Sequence, residues 1–287
     1  MTPEDRIRAL PIWKGAIDIT PLAGGITNQN YVVTDAQCKR VVRIGADIPE
    51  HHISRKIETS VSRAAHLAGV APAIRYQTYG ALVFDYLEAR TLTAADICDD
   101  AQLDAVLDIV MRTHRVIPSH LRGAAPLFWV FHTLRDYAAT LVERGSAYVT
   151  ADLMQDAAEL ETEVGPINLV FGHNDLLPGN FMHDGNRMWL VDWEYAGFNS
   201  PLFDLGAIAN AGLTHAQEAH MLKVYFGAPP TADLWHRYRA MKAASALREA
   251  MWSMVQEVHS TLPVDYAAYT ATNLATYRAA FDAFRHP

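Results

Sequence analysis

Residues 171–194 read FGHNDLLPGNFMHDGNRMWLVDWE, and the polar positions in this stretch keep a fixed rhythm. Asp175 follows His173 by two residues and Asn180 follows Asp175 by five. Asp192 closes the next apolar run, with Glu194 two residues on. Residues 167–171 are apolar and short, which predicts a strand, with Asp175 in the loop that leaves it. Residues 181–183 and 188–191 flank Asp184-Gly185-Asn186, and Asp-Gly between two such runs is a strong hairpin-turn signal. The turn folds the chain back, so Asn180 and Asp192 are expected at adjacent strand ends with Asp175 close to both. Two carboxylates and an amide oxygen converging on a loop form a hard-oxygen site suited to Mg2+.

Phosphoryl transfer needs such a set: one carboxylate to orient or deprotonate an attacking hydroxyl, and an amide and a carboxylate to hold the metal that neutralises a triphosphate. The stretch resembles the catalytic and metal loops of the kinase-like phosphotransferases, the aminoglycoside and choline kinase superfamily. His173, Asp175 and Asn180 match its H-x-D-x-x-x-x-N pattern, and Asp192 matches the metal aspartate. The continuation DWEYAGFNSPLFDLG, residues 192–206, resembles the choline/ethanolamine kinase branch in particular. The resemblance implies an α+β, bilobal protein-kinase-like fold, with a small antiparallel β-sheet N-lobe and a larger, mainly helical C-lobe. It implies ATP and Mg2+ as cofactors, with Asp175, Asn180 and Asp192 catalytic and the last two on the metal. His173 and Asp204 would be structural, Asp204 bracing the catalytic loop through its backbone.

The chain has 287 residues, half of them hydrophobic, enough for one large or two modest domains. Net charge is −8 with no basic block, which argues against nucleic acid and anionic membrane as partners and weakly suits a cationic substrate. Cys38 and Cys98 have neither metal-ligand nor disulfide-framework spacing, so a reducing cytoplasm is the simplest home. The first ten residues lack a basic start and an apolar signal core, and no apolar run approaches the ~18 residues of a membrane span. His51 and His52, adjacent, and His215 and His220, five apart, read as surface or packing residues rather than a zinc site.

Taken in order, Thr2-Pro3-Glu4-Asp5 opens a short helix to about Leu10: a hydroxyl cap, proline in the first turn, then acids. Residues 17–22 and 31–33 read as strands around the stretch AGGITNQNY, residues 23–31. Its Gly24, Gly25, Thr27 and Asn28 can lie over phosphates or make an ordinary hairpin turn. Residues 40–44, RVVRI, form the next strand; Arg43 is its charged interior residue and the candidate phosphate cation. A helix is expected over 53–68, ended by Gly69, with Glu58 as the candidate partner of Arg43. Residues 73–78 and 81–87 read as a hairpin at Tyr79-Gly80. By resemblance the chain then passes through a hinge where the backbone of Asp85, Tyr86 and Leu87 meets adenine. The composition turns helical near residue 88, dividing a nucleotide-binding lobe, 1–87, from a helical lobe, 88–287, that carries the catalytic loop and acceptor site. Helices are expected at about 93–98, 101–115, 128–144, 151–163, 201–212, 216–226, 232–260 and 266–284, with a capping box at Thr93 and Asp96.

Residues 248–269, REAMWSMVQEVHSTLPVDYAAY, resemble the choline kinase tail, where aromatics wall the site of a quaternary ammonium. Trp252 and Tyr269 match family positions; Tyr195 and Tyr266 are further candidates, and Glu194 and Glu249 would add negative charge. Where the family has two tryptophans three residues apart, this chain has Glu249 and Trp252. Where it often has Glu-Trp after the F-D-x-x-N helix, Ala211 and Gly212 stand. The reading is an ATP-dependent kinase for a small cationic alcohol, choline first and ethanolamine second. Thiamine or an aminoglycoside as acceptor, and an inactive nucleotide-binding module, are the alternatives.

Overall fold

The computed structural model describes residues 2–22 and 28–286. Its first half is α1 (Pro3–Arg8) on a five-stranded antiparallel sheet: β1 (Asp18–Leu22), β2 (Gln29–Thr34), β3 (Lys39–Ile44), β4 (Ile74–Thr78) and β5 (Ala81–Asp85), in the order β1-β2-β3-β5-β4. The capping box forms as the sequence suggests: Thr2 Oγ1 accepts from Asp5 N, and the Asp5 carboxylate accepts from Thr2 N. Ile7 and Leu10 close over Tyr31, Val33, Val42, Ile44, Ala81 and Val83 in a small core. The register sets Arg43 opposite Asn30 on one side and Leu82 on the other.

α2 (Arg55–Leu67) starts later than the expected residue 53. Ile48 and Ile53 pair as an isolated bridge around a 3-10 turn at Pro49–His51, and Asp47 Oδ1 accepts from Arg55 N at 2.7 Å, which fixes the first turn there. Gly69, at φ 74°, ends the helix in the left-handed region, as the sequence predicts. The buried face of α2, with Val61, Ala64 and Ala65, belongs to the larger core rather than to the small one under the sheet. The larger core therefore takes in residues on both sides of residue 87.

The second half holds β6 (Arg90–Thr91), α3 (Ala94–Ile97), α4 (Asp100–His120), α5 (Val130–Glu143), α6 (Ala151–Val164), β7 (Val170–Gly172), β8 (Phe181–His183), β9 (Met188–Leu190) and β10 (Gly197–Asn199). Four helices complete it: α7 (Pro201–Ala209), α8 (His215–Phe226), α9 (Ala232–His259) and α10 (Tyr266–Arg285). α4 runs five residues past the expected end at 115, carrying Pro118 in its last turn. The short strands β6 and β10 have no sequence signal of their own: β6 is held by β8 and β10 by β7. The Asp184-Gly185 turn folds β8 against β9 with Phe181 opposite Leu190, and Val191 N donates to Asn180 O at 3.0 Å. Among the described residues no helix is long and apolar enough to cross a membrane.

α9 is the axis of this half and packs on α5, α6, α7 and α10. Its approach to α7 is close because Gly206 has no side chain. A Cβ there would lie 2.7 Å from Lys242 Cα and 3.1 Å from its nitrogen, both backbone. Gly206→Ala is expected to push the two helices apart and lower stability by about 1–3 kcal/mol, as overpacking does. A thermal midpoint unchanged from wild type would show that the helices can separate without cost.

Candidate active site

β7 delivers the chain to the catalytic loop, and a buried carboxylate holds it there. His173 N and Asn174 N donate to Asp204 Oδ2 and Oδ1, each at 2.8 Å. Asp204 sits in the first turn of α7, whose N-terminus is capped by Ser200 Oγ accepting from Leu202 N. His114 on α4 adds a third donor to Asp204, Nε2 at 2.9 Å, while Tyr225 OH serves its Nδ1. Burial works against a charged Asp204, yet His114, His173 and the loop hydrogen bonds outweigh it and hold its pKa below the usual carboxylate range. Asn174 takes a left-handed φ of 63°. Its amide donates to Tyr195 O and Gly197 O, and its Oδ1 accepts from Asn199 Nδ2. A Cβ on Gly172 would come within 2.6 Å of that Oδ1, so the loop needs glycine at this point. His173 lies behind the loop and donates from Nε2 to Val191 O.

So fixed, Asp175 meets Asn180, whose Nδ2 donates to its carbonyl at 2.8 Å and to its Oδ2 at 3.1 Å. Arg248 Nη1 on α9 reaches Asp175 Oδ1 at 3.3 Å and Glu249 Oε2 at 2.9 Å. The Asp175 carboxyl is raised to about 8: burial is the main cause, Arg248 works against it, and Glu249, Asp192 and Glu194 add to it.

Asp192 follows β9 at φ 68°, a left-handed position that a side-chain-bearing residue holds only when its surroundings fix it. Arg43 Nη1 bridges Glu58 Oε1 at 2.6 Å and Asp192 Oδ1 at 2.7 Å. Arg55, one turn before Glu58 on α2, continues the line: Nη1 meets Glu58 Oε2 at 2.7 Å and Glu194 Oε2 at 2.8 Å, and Nη2 donates to Asn28 Oδ1. Asn28 Nδ2 returns to Glu194 Oε2 at 2.9 Å. Asp192, Arg43, Glu58, Arg55 and Glu194 are thus a relay of alternating charge joining the sheet lobe to the loop after β9. Glu194, expected beside the acceptor, has its carboxylate hydrogen-bonded by Arg55 and Asn28.

Two cavities open beside Asp175, Asn180 and Asp192. A cleft of about 390 Å3 is lined by Arg43, Glu58, Tyr86, Leu87, Asn180 and Asp192, with Leu22, Val41, Phe84 and Met182 as apolar wall. Asp85 also lines it, but its N–H is committed to Ala73 O and its carboxylate to Arg40 and Arg75. Gly24, Gly25 and Thr27 lie outside the described residues. The second cavity, about 120 Å3, opens beside Asp175 and is lined by Arg248, Glu249, Ser245, Asn210 and Asn273. The expected aromatics stand behind Glu249: Tyr269 OH donates to its Oε1 at 2.7 Å. Trp252 is buried in the core with its indole N–H on Tyr195 OH at 2.8 Å, ringed by His51, Tyr266 and Tyr269. Of the residues expected on the acceptor, Glu249 alone lines this cavity.

Residues 18–241 match the model of the phosphotransferase enzyme family. The chain belongs to that family. It is 31% identical to Protein LicA of Haemophilus influenzae over 85% of this chain and 75% of that one. It is 25% identical to ethanolamine kinase 2 of Mus musculus over 88% and 73%. The structure of a choline/ethanolamine kinase family protein from Mesorhizobium loti superposes with a TM-score of 0.79 at 25% identity, over 98% of this chain and 96% of that one. The bilobal α+β fold expected from residues 171–206 is the fold of these structures, and the chain is a small-molecule kinase.

In this phosphotransferase four residues escaped the sequence reading. Arg55 carried a weak signal, a cation three residues before Glu58 on a helix. Asn174 sits inside the loop motif but in a place the pattern leaves free. His114 and Arg248 are brought in by helices distant in sequence, and nothing local marks them. For the relay, Glu58→Gln keeps the shape and removes one of the two carboxylate charges that hold Arg43 in place. It is expected to raise KM for ATP by at least ~10-fold, about 1.4 kcal/mol, and KM for the acceptor far less. The opposite split would remove Glu58 from the nucleotide side.

Proposed function

We propose that the chain transfers the γ-phosphoryl group of ATP to the hydroxyl of a small ammonium-bearing alcohol, in the class of ethanolamine and choline. The observation that carries this reading is the meeting of the two cavities at one hydrogen bond, Asn180 Nδ2 to Asp175 Oδ2. The larger one, with Asn180 and Asp192, suits a nucleotide; the smaller one, with Asp175, suits an acceptor. Arg43, set by Glu58, neutralises phosphate oxygens, and Tyr86 and Leu87 offer their backbone to adenine. Asp175 orients the acceptor hydroxyl and takes its proton. Asn180 and Asp192 would hold Mg2+, an amide oxygen and a carboxylate being hard ligands, and the ion would supply positive charge against the phosphates.

Size supports a small acceptor. At about 120 Å3 the cavity beside Asp175 is well under the volume of the cleft at Asn180 and Asp192, about 390 Å3. Chemistry favours ethanolamine over choline, reversing the order expected from sequence. Glu249 can take an N–H donor, whereas Trp252, the wall for a quaternary ammonium, is turned into the core. ADP release with ethanolamine, choline, thiamine and kanamycin as acceptors tests the proposal. Turnover with the amino alcohols and none with kanamycin is expected; kanamycin turnover at a comparable kcat/KM would reject it.

A further inference from the structure

A third cavity, of about 800 Å3, lies between α2 and the turn from β4 to β5. It is larger than either cavity at the catalytic loop and within the size range of small-molecule sites. Its charge is opposite to that of the chain. Net charge is −8, yet Arg43, Arg55, Lys56, Arg63 and Arg122 line this hollow, against Asp47 as its acid. Arg43 and Arg55 spend their charge on Glu58, Asp192 and Glu194. Lys56 and Arg63 do not: both are exposed, and neither meets a carboxylate among the described residues. Arg122, also exposed, gives Nη1 to the backbone oxygen of Leu121. The sequence of α2 explains the surplus. Lys56, Ser60, Arg63 and Leu67 follow at steps of four, three and four, which places them on one face. A solvated helix face ordinarily interleaves acids with its bases. The sole acid of α2 is Glu58, which is buried and turned to Arg43 and Arg55. Ser60 Oγ donates to Arg122 O at 2.9 Å, which sets the segment after α4 beside this face. At the β4–β5 turn, Arg6 Nη2 donates to Tyr79 O at 3.2 Å and leaves the Tyr79 side chain exposed at the cavity.

Unpaired cations in a concave site focus positive potential there, even on an acidic protein. We propose that this cavity binds an anion with more than one phosphoryl group, and that its occupancy weakens ATP binding in the cleft. Phosphate oxygens take both the planar fork of an arginine and the point charge of a lysine. Lys56 and Arg63 are seven residues apart, a rise of about 10 Å at 1.5 Å per residue. A single phosphate does not span that distance; a chain of phosphates between two long side chains does. Inorganic polyphosphate and a nucleotide share this chemistry and differ in whether a ring lies against Tyr79 and Leu67. The effect on ATP follows from Coulomb's law. Arg43 lines both this cavity and the nucleotide cleft. A second polyanion beside Arg43 and Arg55 lowers the positive potential that the ATP phosphates meet. Each ligand therefore weakens the other, by the same factor in both directions. The two anions occupy separate sites, so the weakening has a limit, unlike that of a competitor inside the cleft.

The test is binding rather than turnover, so it does not depend on which alcohol is the acceptor. The full-length protein, its cleft saturated with a non-hydrolysable ATP analogue at fixed free Mg2+, is titrated with inorganic tripolyphosphate in a calorimeter. One tripolyphosphate per chain is expected to bind, and chloride at matched ionic strength should not replace it. The double variant Lys56→Gln, Arg63→Gln should bind it at least ~10-fold less tightly. Both side chains are exposed, so the variant should keep its thermal midpoint and its affinity for the ATP analogue. Absence of binding to the saturated protein, or equal binding by the variant, overturns the proposal. In a second arm a fluorescent ATP analogue is titrated at rising tripolyphosphate. Its Kd should climb by at least ~5-fold and then level off in the wild type. A Kd that rises without limit shows simple competition in the cleft, and a flat Kd shows that the cavity is not felt there; either result overturns the coupling. ADP in excess over the cleft distinguishes the sources. A second ADP per chain, lost in the variant, makes the ligand a nucleotide; tripolyphosphate binding alone makes it a polyphosphate whose ring, if any, is not read.

Discussion

Asp175→Ala is expected to lower kcat by at least ~100-fold while ATP still binds, the effect of deleting a positioned general base. The expectation rests on placement rather than on motif alone. Asp175 is the carboxylate shared by the two sides of the site: Asn180 of the nucleotide cleft donates to one oxygen and Arg248 of the acceptor cavity reaches the other. Its backbone cannot drift, because Asp204 holds the two preceding N–H groups. The loss should therefore be local. Asn180, Asp192, Arg43 and Glu58 keep their own contacts, so KM for ATP should stay within about threefold. Asp175→Asn separates charge from shape. It keeps a partner for Asn180 but cannot accept the hydroxyl proton, and it should be nearly as slow as the alanine variant. If either variant keeps more than about a tenth of wild-type kcat, the proton leaves by another route and Asp175 only positions the acceptor.

How much of this was legible depends on how local each feature is. Asp175, Asn180 and Asp192 could be read because their geometry follows from short spacings: a strand, a five-residue loop step and an Asp-Gly hairpin that returns the chain. Arg43 and Glu58 were next, since a strand and the following helix are adjacent in space as well as in sequence. The helical lobe could be outlined from apolar periodicity, with boundaries displaced where a neighbour decides them, as the Ile48 and Ile53 bridge does for α2. The acceptor side was the least legible. Family matching placed Trp252 and Tyr269 there, but whether an aromatic on α9 or α10 faces a cavity or the core depends on helix rotation, and nothing in its own sequence fixes that. Arg248 is the sharpest case. A basic residue in a long helix reads as solvent-facing, and only the fold shows it beneath the catalytic loop, 73 residues along the chain from its partner.

Asp204 should prove the residue whose loss costs the fold most. Its carboxylate accepts from His173 N, Asn174 N and His114 Nε2, which come from two separate elements, and its side chain is almost fully shielded from water. Asp204→Ala leaves those donors buried without an acceptor, and removing one partner of a buried charged pair typically costs about 3–5 kcal/mol. At ~2–4 °C per kcal/mol for a domain of somewhat smaller size, the thermal midpoint should fall by on the order of 10 °C. Asp204→Asn is the sharper test. Oδ2 serves His173 N and His114 Nε2, and Oδ1 serves Asn174 N, so every group around the carboxylate is a donor. Whichever way the amide is turned, its NH2 faces an N–H, and the isostere should cost nearly as much as alanine. Charge adds to this, because the folded pKa of Asp204 is held below the usual carboxylate value. Its contribution is complete above the unfolded pKa, about 3.9, and is lost as pH falls through the folded one. The destabilisation of Asp204→Asn relative to wild type should therefore be full at neutral pH and shrink only in strong acid. An asparagine variant within 1 kcal/mol of wild type at pH 7 would mean that His114 and the two loop amides find other acceptors. The catalytic loop would then be held by Asn174 and its partners rather than by the buried carboxylate.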